Sequence, residues 1–390
     1  MKRPEIFLPD YKNCIANLPN SILKKFNAEP RGDSLPLLDR YLTRDYKNII
    51  VFLLDGMGKV ILERHLAEKG PFRSHLAGIY TSTFLSTTVA ATTSVMSGLQ
   101  PCEHSWLGWD CYYPQIDKNV TVFLNVEQGT QNPAADYNLA WTTTPYENVI
   151  NRIKSHGGQA YLEAPFANRE IDSFEKLCDC VRADCAKPGQ KYIYAYWNQP
   201  DGCLHHYGCG SQEVKKELQR LEAQVAKLAA ELKATPGAKL AAEHKPVSDS
   251  APSPAGDSLI IITADHGHID NRQVWLRDYP QLHECLEREP SLEPRVFNLF
   301  VKPEKEDFFV QEFNKTFGDD FDLLPVEEVI KRKLFGTGQP HPNFRSMLGN
   351  YLAIAKGNLS IMTVDETFIG MHGSLTEDEM LIPLIVFDGK

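Results

Sequence analysis

Three apolar runs in this chain each end on an acidic residue. "NIIVFLLDG" (48–56) closes on Asp55, "KYIYAYWNQPD" (191–201) on Asp201, and "LIIITADHG" (259–267) on Asp265 and His266. Runs this apolar read as strands buried on both faces. A charge at the end of such a strand is costly unless it is paired or bound to a metal. Helical patterns separate the runs, notably "PYENVINRIKSHGG" (145–158), which leads into another strand pattern, "QAYLEAP". This alternation predicts an α/β fold: a mostly parallel central sheet flanked by helices on both faces. Parallel strands put their carboxyl ends on one edge, where such sheets bind ligands. Acids far apart in sequence are therefore expected to meet there.

After His268 the pattern changes. "RVFNLFVK" reads as a strand, and "EKEDFFVQEFNKTFG" and "PVEEVIKRKLFG" as helices. The expected organisation is a catalytic core of residues 1–270 and 351–390 with a small α+β cap inserted at 271–350. Residues 211–235 place Leu218, Leu221, Val225, Leu228 and Leu232 at steps of three and four. That spacing gives an amphipathic helix packed on the parent sheet. The Ala/Pro/Ser-rich 235–257 stretch reads as a surface loop.

The net charge of −10 gives no general attraction to a nucleic acid polymer or an anionic membrane. An anionic substrate would need a local positive centre. "MKRPEIFLPDYKNCIANLP" lacks the apolar stretch of a secretory signal. No apolar run approaches the ~20 residues of a membrane span. The expected address is the cytoplasm. "CDCVRADC" (Cys178, Cys180, Cys185) lacks the paired C-x2-C spacing of a structural zinc site. Its thiols read as buried and free.

Asp201 and His205, four apart in "PDGCLHHYG", suit zinc or manganese. Alone, the pair reads equally well as a structural contact, and His206 is either a competing ligand or a surface residue. The Thr/Ser-rich "STFLSTTVAATTSVMSG" (82–98) is a strand–turn–helix whose hydroxyls either cap the backbone or supply a nucleophile. His372 lies in the Gly-rich "FIGMHGSL" before the last apolar strand.

Taken in order, Asp55 after a strand, Thr88 ten residues before Gly98, "PDxxxHxxG", "DHG" and "MHG" resemble the alkaline phosphatase superfamily. The nearest branch is the type I phosphodiesterase/nucleotide pyrophosphatase group. The resemblance covers roughly 48–110, 190–270 and 365–390. It implies two divalent metal ions, zinc or alternatively manganese. One would be held by Asp55, Thr88, Asp265 and His266, the other by Asp201, His205 and His372. It also implies Thr88 rather than Thr87 as nucleophile, and a phosphodiester or pyrophosphate hydrolase with a covalent phospho-threonine intermediate. The partner would be a small-molecule phosphoester. Phosphomonoesterase, phosphonate hydrolase and cofactor-independent phosphomutase are variants on the same fold. His268 is expected to play a supporting or structural part.

Where the nucleotide pyrophosphatases carry a phosphate-binding Asn, this chain has Trp109. Tryptophan donates one hydrogen bond and accepts none. Trp106, Trp109, Tyr112 and Tyr113 either stack on a flat leaving group or pack a core turn. Lys59 after "DGMG" is either a phosphate contact or a surface residue.

Overall fold

The computed structural model describes residues 5–167, 171–234 and 258–389. The expected loop at 235–257 lies outside the described residues. The central sheet has six strands in the order Leu76–Thr81, Leu381–Phe387, Ser258–Thr263, Asn48–Leu54, Lys191–Trp197 and Gln159–Glu163. Asn48–Leu54 runs parallel to both neighbours, and Gln159–Glu163 runs parallel to Lys191–Trp197. Leu381–Phe387 runs antiparallel to the strands on either side of it. The fold is the mixed α/β architecture expected from the alternating runs.

Every residue from Asn48 to Leu54 and from Ser258 to Thr263 is buried. Each large aliphatic side chain so covered contributes about 1.5–3 kcal/mol. Two groups of helices provide the cover. Lys59–His65 and Phe174–Ala186 pack against the long helix Gln212–Ala234, whose Leu218, Leu221, Val225 and Leu228 are fully buried. Leu18–Lys25 packs with Thr88–Ser97 and Val149–Ser155 in the other group. Cys178, Cys180 and Cys185 are free thiols buried on the 174–186 helix. Burial pushes the Cys178 and Cys185 thiols up to about 12. Among the described residues no helix is long and apolar enough to cross a membrane.

A second, antiparallel sheet has seven strands. It takes strands from 110–127 and 351–355 as well as from the 271–350 segment, so the layer beside the core is wider than that segment. One buried ion pair ties this sheet to the chain before the last core strand. Arg295 donates to Glu379 Oε1 at 2.6 Å and to Oε2 at 2.9 Å, and both side chains are wholly buried. Glu379 also accepts the Ser374 N–H at 2.9 Å and the Thr376 hydroxyl at 2.5 Å, which fixes the segment that follows His372.

Removing one member of such a pair strands a charge in the interior. Arg295→Met should therefore cost about 3–5 kcal/mol in urea unfolding. Arg332→Met, which breaks an exposed pair with Glu328, should cost under ~1 kcal/mol.

Candidate active site

Parallel register places the three acids. Leu53 is level with Thr263, and Leu54 with Trp197. Asp55 and Asp265 therefore leave the sheet at the same height. The Asp55 N–H donates to Trp197 O at 3.0 Å, and the Asp201 N–H donates to Asp55 O at 2.9 Å, which carries the alignment one turn past the strand ends. Gly56 makes the tight exit possible. Its φ is +76°, and a Cβ there would lie 3.1 Å from the Asp201 Cα and 3.1 Å from the His268 ring. Asp265 Oδ1 accepts the N–H groups of Gly56 (3.1 Å) and His266 (3.0 Å). Its Oδ2 is buried with no hydrogen-bond partner and lies 3.5 Å from His266 Nε2.

Four histidines close the cluster, and their second nitrogens separate them into two kinds. Nδ1 of His205 faces Gly370 O at 2.8 Å, Nδ1 of His266 faces Gly267 O at 3.1 Å, and Nδ1 of His372 faces Ser86 O at 3.1 Å. A carbonyl only accepts, so each Nδ1 carries the proton and each Nε2 presents a lone pair. Metal-ligating histidines are held in this way. His268 is different. Its Nε2 is 2.6 Å from Asp201 Oδ1, and its Nδ1 is buried without a partner. Its proton therefore sits on Nε2 and is donated to the carboxylate, so His268 orients Asp201.

The ligand atoms form two overlapping groups, each within 4.8 Å: Asp201, His205, His268 and His372, and Asp55, Asp201 and His266. Asp201 belongs to both. Its Oδ1 is 3.3 Å from His205 Nε2 and 3.7 Å from His372 Nε2. His266 Nε2 is 3.3 Å from Asp55 Oδ1, and the His266 and His372 rings stack at 3.7 Å.

The electrostatics show what this donor set lacks. Burial, then repulsion from Asp265 and Asp201, pushes the Asp55 carboxyl well above the ordinary range. Burial raises Asp265 as well. Burial, then the neighbouring His266 and His268, holds His372 well below the ordinary imidazole range. For Asp201, burial acts upward, but His205 and His268 outweigh it and hold the carboxyl well below its usual value. Carboxyl oxygens crowded beside imidazole nitrogens, with one buried oxygen unpartnered, fit divalent cations.

Thr88 opens the helix Thr88–Ser97. Its Oγ1 lies 3.2 Å from His266 Nε2 and 3.5 Å from Asp55 Oδ1. The Thr87 hydroxyl is buried and turned the other way, toward Glu293 at 2.5 Å.

The remaining sequence candidates fall elsewhere. His206 is exposed and packs edge-on against Tyr207, away from the ligand cluster. The Lys59 ammonium pairs with Glu377 at 2.7 Å, so a substrate anion would have to displace that partner. Trp106, Tyr112 and Tyr113 are buried, and Trp109 keeps 40% of its surface exposed. Of those four rings only Trp109 is open to a ligand. Two residues that sequence reading passed over also reach the site. The Tyr196 hydroxyl donates to Asp55 Oδ2. Glu293, from the second sheet, accepts the Thr87 hydroxyl and, at 2.8 Å, the Trp109 N–H. Tyr196 stands one residue from the end of its strand, a readable position. "SLEPRVF" gives no signal for Glu293.

Comparison with solved structures finds the same fold. Murine ectonucleotide pyrophosphatase/phosphodiesterase 5, in an inactive form in complex with AMP, matches with TM-score 0.61 at 16% identity over 87% of each chain. Human ectonucleotide pyrophosphatase/phosphodiesterase 5 matches with TM-score 0.60 at 16% identity, again over 87% of each chain. Phosphonoacetate hydrolase from Sinorhizobium meliloti 1021, in complex with phosphonoformate, matches with TM-score 0.56 at 13% identity, over 87% of this chain and 90% of that one. Comparison with curated proteins returns no match. The sequence profile described as Type I phosphodiesterase / nucleotide pyrophosphatase matches residues 49–375. That span covers most of the chain: it belongs to the type I phosphodiesterase/nucleotide pyrophosphatase family of phosphoester hydrolases, within the alkaline phosphatase superfamily.

Proposed function

We propose that this protein hydrolyses a small-molecule phosphodiester or pyrophosphate through a covalent intermediate on Thr88. The observation that carries the reading is the position of the Thr88 hydroxyl. It sits at the first residue of a helix, between His266 Nε2 and Asp55 Oδ1. Helix N-termini offer unpaired N–H groups and a favourable dipole to phosphoryl oxygens. A threonine hydroxyl is a weak nucleophile unless its proton is drawn off.

Asp55, Thr88, Asp265 and His266 would hold one cation, and Asp201, His205 and His372 the other. When bound, a pair of zinc or manganese ions supplies Lewis-acid stabilisation of the attacking and leaving oxygens. The chain's own residues do the rest. Backbone carbonyls fix the three imidazoles with Nε2 facing inward, and His268 holds Asp201. Tyr196 orients Asp55 from the far side. Thr88 Oγ bonds to phosphorus as the bond to the leaving oxygen breaks. The Thr88 proton passes to solvent, and the departing oxygen takes one up. Water then cleaves the Thr88 ester and restores the hydroxyl.

AMP in the murine relative and phosphonoformate in the phosphonoacetate hydrolase are both small phosphorus oxyanions. This supports an anionic phosphoryl group as the moiety recognised here. Exposed Trp109 beside the nucleophile's turn favours a flat or apolar group on one side of the ester.

Bis(4-nitrophenyl) phosphate should be turned over, chelator should abolish the activity, and zinc or manganese should restore it. Thr88→Ala should lower the rate by roughly 10³-fold or more. A Thr88→Ala enzyme working at the parent rate would exclude the nucleophile. Faster turnover of 4-nitrophenyl phosphate or phosphonoacetate would move the substrate within the superfamily.

Calorimetric titration of metal-free protein should show two ions bound per chain. His372→Ala should weaken one of them by more than the ~10–100-fold expected of a supporting residue, and His268→Gln by an amount within that range. His206→Ala should leave the titration unchanged.

A further inference from the structure

Thr87 occupies the N-cap of the 88–97 helix with the extended backbone (φ −139°, ψ 152°) that capping residues adopt. A threonine there ordinarily turns its side-chain oxygen back to accept an N–H of the first turn. Thr87 makes no such bond. Its hydroxyl donates to Glu293 Oε1, which also accepts the Trp109 N–H.

Glu293 reaches this spot from the strand Ser291–Glu293 of the second sheet and is buried. Gly373, next to His372, has φ +121°, and a Cβ there would lie 3.2 Å from both Cβ and Cγ of Glu293. The carboxyl is therefore wedged between the nucleophile's turn, the Trp109 turn and the His372 loop. Burial pushes it up to about 7, against the opposing effect of the hydrogen bonds from Thr87 and Trp109.

We propose that Glu293 is a positioning residue for the phosphoryl pocket. By holding the Thr87 hydroxyl away from the helix, it leaves the first-turn amides beside Thr88 open to the substrate's phosphoryl oxygens. The inference rests on the reading of that helix end as the phosphoryl site. It adds a residue from the second sheet whose work is to prevent a cap from forming.

Sulfate, which does not titrate near neutral pH, probes the pocket without turnover. Calorimetry on zinc-loaded protein should show Glu293→Ala binding sulfate about five- to tenfold more weakly, the weight of an N-cap bond set against the ligand. The KM for bis(4-nitrophenyl) phosphate should rise in parallel, with kcat little changed. Glu293→Gln keeps an acceptor oxygen and should stay within about twofold of the parent. Glu293→Ala combined with Thr87→Ala has no hydroxyl left to close the helix end, and should return to the affinity of Thr87→Ala alone. A purely structural role for Glu293 predicts no such rescue. Glu293→Met, which fills the space without an acceptor, replaces the alanine variant should that one not fold.

Unchanged sulfate affinity in Glu293→Ala, a double variant as weak as the single one, or a parent protein that binds no sulfate would each overturn the inference. If the sulfate pattern holds but no ester is cleaved, the helix-end inference stands and the hydrolase reading fails.

Discussion

Parallel pairing of the strands ending at Leu54, Trp197 and Thr263 is the constraint on which the site depends. It brings Asp55, Asp201 and Asp265 to one edge of the sheet. Three carboxylates gathered at the rim of an apolar layer repel one another and are poorly hydrated. The fold answers with imidazoles rather than with lysines or arginines. An arginine would neutralise an acid permanently, whereas an imidazole with its proton pinned on Nδ1 leaves the acids short of positive charge. Such an arrangement is of the kind that suits divalent cations.

The two layers divide the labour. The parallel sheet supplies the candidate ligands at its strand ends. The antiparallel sheet reaches over with Glu293, which accepts the Thr87 hydroxyl at the helix end that carries Thr88. It is anchored by the Arg295–Glu379 pair, whose glutamate also fixes the backbone just after His372. One buried glutamate thus joins the second sheet to the segment that follows the last histidine. The glycines at 56 and 373 sit at tight approaches around the site, each with a positive φ and little space for a side chain.

Much of this was readable from the residues. The 48–54, 191–197 and 258–263 strands announce themselves as unbroken apolar runs, and the long helix shows its period at Leu218, Leu221, Val225 and Leu228. The candidate donors at 55, 201, 205, 265, 266 and 372, which the fold brings close together, stand near glycines and strand ends in the sequence. What could not be read depends on contacts between distant segments. Glu293 lies in a short strand whose position is set by pairing with 110–113 and 296–299. Nothing in its neighbours in sequence signals a partner at Thr87. Trp109 is exposed while Trp106 is buried because the turn between them is packed on the far sheet, a difference that composition does not carry. The width of the second sheet was hidden for the same reason, since 110–127 joins strands far along the chain.

The strand Leu381–Phe387 lies between Leu76–Thr81 and Ser258–Thr263, filling a slot between segments synthesised long before it. His372 arrives on the same late stretch. A nascent chain that has not yet emerged past this region has its Leu76–Thr81 edge strand cut off from the other four and lacks one of the clustered imidazoles. The strand that joins the two sides of the sheet and the imidazole that stacks on His266 thus come from one short, late stretch of chain.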